Sequence, residues 1–208
     1  MCGIVGLFIK DPALEPQLGR LTARMLETMT GRGPDSAGFA VYGEGADGRT
    51  KITLRGASAE AIRETVSNIE RAFPDASAVL HDTHAVVSIA DEDEHRLDDW
   101  LATESLDTEI VGRGSRMEIF KEVGLPADVA ARFGLATMRG THAIGHTRMA
   151  TESAVTTDGA HPHSTGQDQC LVHNGSLSNH TTLRRELRRQ GMTFETENDT
   201  EVAAGYLT

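Results

Sequence analysis

A cysteine stands at position 2 of this 208-residue chain. Aminopeptidases readily remove a starting methionine that precedes a small residue, and loss of Met1 would leave Cys2 first. Its thiol would then share a residue with a free α-amino group, whose pKa of ~7.7–8 suits general-base work at neutral pH. A terminal amine that activates its own side chain is a known nucleophile arrangement, and the tether keeps the entropic cost of orientation low. Four other segments carry groups such a nucleophile could use. Residues 31–38 form a tight loop in which Arg32 and Asp35 stand among small residues. Residues 145–151 place Arg148 in an otherwise uncharged, extended run. A guanidinium is costly there unless it meets a carboxylate, which it can hold with two parallel hydrogen bonds. Asn174 and Gly175 offer a side-chain amide and an adaptable backbone N–H, the pair of donors that a tetrahedral oxyanion requires. Asp199, at the opening of a helix, can receive an ammonium group. Arg148 and Asp199 thus supply one charge for each end of an amino acid.

Local patterning outlines the elements that must position these groups. Residues 2–10 read as a strand ended by Asp11-Pro12. Leu18, Leu21, Met25 and Met29 recur at helical spacing and predict a helix over about 16–30, broken by the glycines of the loop that follows. Phe39 and Val41, with Ile52 and Leu54, predict a hairpin around the glycine-rich stretch 43–48. Ile62, Val66, Ile69 and Phe73 mark a second helix stopped by Pro74, and residues 79–90 are β-like. Short helices are expected near 116–123 and 126–133, the latter opened by Pro126. Residues 141–150 and 169–173 read as extended. Ser178-Asn179 cap a helix that runs through Gln190 and closes at Gly191, with a last helix starting near Asp199. This mixture argues for the α+β class rather than a βαβ ladder.

Charge and composition narrow the partners. The net charge of −11 has the wrong sign for a general nucleic-acid or anionic-membrane binder. Most of it sits in residues 91–109, where nine acids face one arginine, a block expected to be a solvated face. No run approaches the ~20 apolar residues of a membrane span, and the N-terminus lacks the basic start of a signal peptide. Two cysteines, Cys2 and Cys170, make no disulfide framework. The expectation is a soluble cytoplasmic protein, with Cys170 a small core residue and the 184–189 arginine face solvated. His142, His146 and the His161-Pro162-His163 pair raise a metal site as a rival. The intervening proline and the want of a third ligand at metal spacing favour structural hydrogen bonding, so no metal is expected.

Taken in order, Cys-Gly-Ile-Val-Gly at 2–6, Arg-Gly-Pro-Asp-Ser at 32–36, Gly-His-Thr-Arg-Met-Ala-Thr at 145–151, Ala-His-Pro-His at 160–163, His-Asn-Gly at 173–175 and Asp-Thr-Glu at 199–201 resemble the class II glutamine amidotransferases. The resemblance implies an N-terminal-nucleophile hydrolase fold: a four-layer αββα sandwich of two antiparallel sheets. It implies Cys2 as nucleophile toward the glutamine side-chain amide, and Asn174 with the N–H of Gly175 as the oxyanion hole. Arg148 would bind the α-carboxylate, Asp199 the α-ammonium, Thr151 would line the pocket, and Arg32 would brace the N-terminus. No cofactor is implied. The run 140–153, with 118–124 upstream, looks most like small amidotransferase subunits of glutamate-synthase-like systems such as N-methylglutamate synthase, which pass ammonia to a synthase partner. Met149 and Glu152 depart from the tryptophan and histidine of several relatives. Residues 1–208 are expected to be a single domain with an insertion at about 81–140, C-terminally incomplete beside the family's sandwich. Two other readings stand: an N-terminal-nucleophile amidase acting on another amide, and a non-catalytic glutamine-sensing or scaffold subunit.

Overall fold

A computed structural model describes residues 2–150 and 155–208. Along the chain run β1 (Gly3–Phe8), α1 (Leu18–Thr28), β2 (Ser36–Tyr42), β3 (Arg49–Arg55), α2 (Ala59–Ala72), β4 (Ser77–His81), β5 (His84–Ala90), α3 (Glu94–Glu104), β6 (Glu109–Gly114), β7 (Met117–Val123), α4 (Pro126–Arg132), β8 (His142–Arg148), β9 (His163–Gly166), β10 (Gln169–Leu171), α5 (His180–Arg189) and α6 (Asp199–Leu207). The fold is α+β with antiparallel sheets. Among the described residues, no helix is long and apolar enough to cross a membrane.

The sheet that carries the site has the order β1-β8-β2-β7, antiparallel throughout. Side chains alternate across a strand, and β2 shows what each face buries. Ala37, Phe39 and Val41 join Leu18 and Leu26 of α1, Val129 and Ala130 of α4 and the neighbouring Phe133 in one core. Phe39, Phe120 and Phe133 supply its aromatic centre, with ring centroids 5.5–6.5 Å apart. On the opposite face, Ala40, Met117 and Ile119 are covered together with Tyr42, Ile144 and Cys170. Cys170 belongs to the two-stranded ribbon β9–β10, on which α6 packs, with α5 against α6. The succession is therefore helix, sheet, ribbon, helix. Cys170 is half-buried rather than wholly buried and lies 3.4 Å from the Tyr42 hydroxyl; burial pushes its thiol up to about 11.

The second four-stranded sheet, β4-β5-β3-β6, comes from one βαββαβ run. Ile52, Leu54, Ala85, Val87 and Ile89 pack beneath Ile62, Val66 and Ile69 of α2 and Leu97 and Leu101 of α3. Its other face meets β7. The Ile119 N–H donates to Thr53 Oγ1, Lys51 pairs with Glu118 at 2.6 Å, and His84 packs against Phe120 and Phe133. Asp168 ties the β6–β7 turn to the ribbon by accepting from the N–H groups of Ser115, Arg116 and Met117 and from the Ser115 hydroxyl. Partial burial opposes ionisation of that carboxyl, but these donors together outweigh it and hold its pKa below the usual value.

Two local expectations are corrected. β2 and β3 do not form a hairpin: β2 pairs with β7 and β8, and β3 with β5 and β6. Each strand has a face claimed by a different helix pair, so the turn between them carries the chain from one sheet to the other. Residues 117–123 are strand β7, not a helix. That strand is apolar on both faces, with Phe120 in one core and Met117 and Ile119 in another, and a run buried on both sides loses the period-2 signature. The acidic block is also less free than expected. Glu94 and Asp98 hold Arg113 at 2.7 and 3.0 Å, and Asp91 accepts from Thr50.

Candidate active site

Antiparallel register places the nucleophile candidate beside the arginine candidate. Gly3 lies opposite Thr147 and Ile4 opposite His146, so Cys2, just before β1, stands at the level of Arg148 on the neighbouring strand. Directly opposed residues share a face. Here it is the ribbon-side face, because the His146 ring lies 4.3 Å from that of His161. Arg148 is buried, with its guanidinium beside Gly159.

Two loops remote in sequence converge on Cys2. Its carbonyl oxygen accepts from Asn174 Nδ2 at 2.9 Å and from Arg32 Nε at 3.2 Å, and its Sγ lies 3.8 Å from the Met149 carbonyl. Arg32 reaches this point because Gly33 lets its loop press onto β8. A Cβ at position 33 would sit 2.4 Å from the Thr147 carbonyl carbon and 2.5 Å from the Arg148 nitrogen. Asp35 completes the attachment. Its N–H donates to the Arg148 carbonyl at 3.1 Å, and its carboxylate accepts the Ala150 N–H at 2.8 Å. One loop therefore secures both Cys2 and the strand end that carries Arg148.

Asn174 and Gly175 are exposed and follow β10 after Val172 and His173. The Asn174 amide has two N–H donors, so bracing Cys2 leaves it a second one to offer. Asp199 is half-buried in the first turn of α6, where the helix N-terminus favours negative charge. It accepts the Leu177 N–H at 2.6 Å, which joins the Asn174–Gly175 turn to α6. Thr151 lies outside the described residues.

Behind these groups is a polar layer whose arrangement sequence reading did not foresee. Thr200 Oγ1 lies 2.8 Å from His161 Nε2 and 3.4 Å from His173 Nδ1. It thereby links the residue after Asp199 to the residue before Asn174. The His161 and His163 rings meet edge-on at 5.0 Å. Burial pushes His146 down to about 4 and drives His161 and His163 well below the ordinary histidine range. These rings are neutral at physiological pH. The signal was present in the adjacency of Thr200 to Asp199 and of His173 to Asn174, but not the contact between them. His142 takes no part and stacks on Tyr42 at 3.9 Å. Among the described residues, no three histidine, cysteine or acidic side chains are grouped to hold a metal ion.

The arginine-rich helix is also partly reassigned. Arg184 is buried, donating to the Thr196 and Asn198 carbonyls at 2.5 and 3.1 Å and so bracing the approach to Asp199. Arg185, Arg188 and Arg189 are exposed.

Comparison with known proteins bears on this geometry. Residues 133–207 match the family model for a glutamine amidotransferase domain. The chain is 58% identical over 209 residues to the glutamine amidotransferase-like protein GlxB of Rhizobium meliloti, covering all of this chain and 69% of that protein. It is 36% identical over 102 residues to the glutamine–fructose-6-phosphate aminotransferase of Aeropyrum pernix, covering 49% of this chain and 16% of that one. Among solved structures it resembles glutamine phosphoribosylpyrophosphate amidotransferase from B. subtilis, with a TM-score of 0.52 and 20% identity over 99% of this chain and 28% of the other.

Proposed function

Because this chain belongs to the class II glutamine amidotransferase family, we propose that it hydrolyses L-glutamine at Cys2 and passes the ammonia to a synthase partner. The observation that carries this reading is the convergence of Asn174 and Arg32 on the Cys2 carbonyl, with Arg148 on the adjoining strand. After loss of Met1, the Cys2 amine takes the thiol proton as Sγ attacks the side-chain amide carbon. The oxyanion accepts from Asn174 and from the Gly175 N–H, the carboxylate is held by Arg148 and the ammonium by Asp199. Thr151 lines the pocket and Arg32 steadies the N-terminal residue. The amine returns its proton to the departing nitrogen, ammonia leaves, and a γ-glutamyl thioester remains. Water then attacks the thioester carbon, releasing glutamate and restoring the thiol. The scheme is complete without a cofactor.

The ammonia acceptor belongs to a glutamate-synthase-like partner, of the kind that N-methylglutamate synthase represents. Resemblance of residues 118–124 and 140–153 to small subunits of such systems supports this reading. Two free cysteines, Cys2 and Cys170, suit a reducing cytoplasm. The test is labelling with a glutamine-analogue diazoketone, read by intact mass and peptide mapping with glutamine as competitor. One glutamine-protected adduct on Cys2 is expected. A retained Met1, or no adduct at Cys2, would overturn the assignment.

A further inference from the structure

Away from Cys2, four chain segments converge on a cavity of about 290 Å³. They are β6, β7, the approach to β9 with its first residues, and the loop between α5 and α6 with the first turn of α6. None of Cys2, Arg32, Arg148, Asn174 or Asp199 lines it. Lys121 on β7 lines it, 8% exposed, and its Nζ lies 3.3 Å from the Asp158 backbone carbonyl. Among the described residues it makes no ion pair with a carboxylate, unlike Lys51 with Glu118 at 2.6 Å. A buried ammonium is expensive; burial outweighs the attraction of Asp158, Glu109 and Glu201 and brings this one down to about 8.

The wall and mouth hold complementary groups. Glu109 and Asp158 face the cavity and are joined by Arg55 from one side. Glu195 makes no ion pair among the described residues; partial burial of its carboxyl, then the charges of Glu109 and Glu201, raise its pKa. His163, which also lines the cavity, is buried, and among the described residues its Nε2 has no hydrogen-bond partner. A cation at the base and carboxylates at the mouth thus border one space with no direct ion pair between them among the described residues. Cavities at the junction of structural units, with a few convergent polar groups, are the usual seats of small ligands.

We propose that this cavity is a second binding site, for a small zwitterionic amino acid. The ligand's carboxylate meets Lys121 and its ammonium meets Glu195 and Glu109. A simple anion would leave Glu195 unmatched, and a simple cation would leave Lys121 unmatched. Charge at both ends is what the lining asks for. Glu201 holds the mouth loop in place by accepting the N–H groups of Glu195 and Thr196 at 2.8 and 2.9 Å, two residues after Asp199.

The test is a two-dimensional NMR titration of the chain with glycine and with 4-aminobutyrate, neither of which carries a side-chain amide, against acetate and ethylammonium. Expected are saturable shifts at Lys121, His163 and Thr196 with the zwitterions, and none with the singly charged probes at the same concentrations. Lys121→Met and Glu195→Gln should each weaken binding about tenfold, as losing one hydrogen bond to a charged group does. Glu195 is exposed, so its variant keeps the fold should Lys121→Met fail. The proposal is overturned if no saturable shift occurs, if shifts are confined to residues 173–177, if acetate binds as well as glycine, or if neither variant weakens binding. Because binding is read by residue and without turnover, failure here leaves the Cys2 reading intact, and an inactive Cys2 leaves this one intact.

Discussion

Asn174 has two tasks in this site. One amide N–H fixes the carbonyl of Cys2, and the oxyanion role draws on the same group. Asn174→Ala should therefore lower kcat by ~10²–10³, the usual cost of an oxyanion donor. Steady-state glutamine hydrolysis checks this; an unchanged kcat would remove Asn174 from the chemistry. Arg148 and Arg188 offer a contrast in setting. The first is buried on the strand beside Cys2, and the second is exposed at the end of α5. Arg148→Ala should raise KM for glutamine far more than Arg188→Ala. Equal effects would mean that the substrate carboxylate is held elsewhere.

At the scale of elements, the site depends on close backbone approaches that only glycine permits. Ile4, His146, Gly38 and Lys121 form one row across the sheet, from β1 through β8 and β2 to β7. The gap at Gly38 admits the His161 backbone. A Cβ there would lie 2.2 Å from the His161 oxygen and 2.6 Å from the Lys121 Cβ. Gly38→Ala should destabilise the fold by ~1–3 kcal/mol, as overpacking does. Gly31→Ala, where an added Cβ meets nothing within 4 Å, should be near neutral. Urea denaturation of the two variants provides the comparison, and equal midpoints would contradict the packing argument. The same logic makes Gly33→Ala a loop variant: it should loosen Arg32 from Cys2 and depress activity more than stability.

The molecule as a whole buries four neutral histidines. Burial pushes His84 down to about 3 and His146 to about 4, with His161 and His163 also well below the ordinary value. A group whose pKa is depressed on folding contributes stability above its unfolded pKa and loses it as pH falls toward the folded one. The window thus opens at about 6.5 and extends downward. At pH 5, each ring still neutral when folded should cost about 2 kcal/mol of stability relative to pH 7. Asp168, held ionised below the usual carboxylate range, adds nothing in that interval. Denaturation midpoints at pH 7.5 and pH 5 test this; a flat profile would mean that the rings protonate without unfolding cost.

The legible part of this protein is the part written in short, contiguous runs. Cys2, the Arg32–Asp35 loop, Arg148, Asn174-Gly175 and Asp199 each declared a chemical capacity through residue type and immediate neighbours. Helices α1, α2, α4, α5 and α6 declared themselves through apolar period, proline or cap. Strand partnership was not legible. β2 and β3 have the alternation and the glycine-rich link of a hairpin, yet separate helix pairs claim their faces and send them to different sheets. β7 concealed its strand character because both its faces are buried. The joining of Thr200 to His161 and His173, and of Lys121 to a cavity it shares with Glu195, arises from residues far apart in sequence. Side-chain chemistry is a local property, so the sequence by itself determined which groups could react. Pairing and burial depend on every competing face in the chain, so only the tertiary structure decided which groups meet.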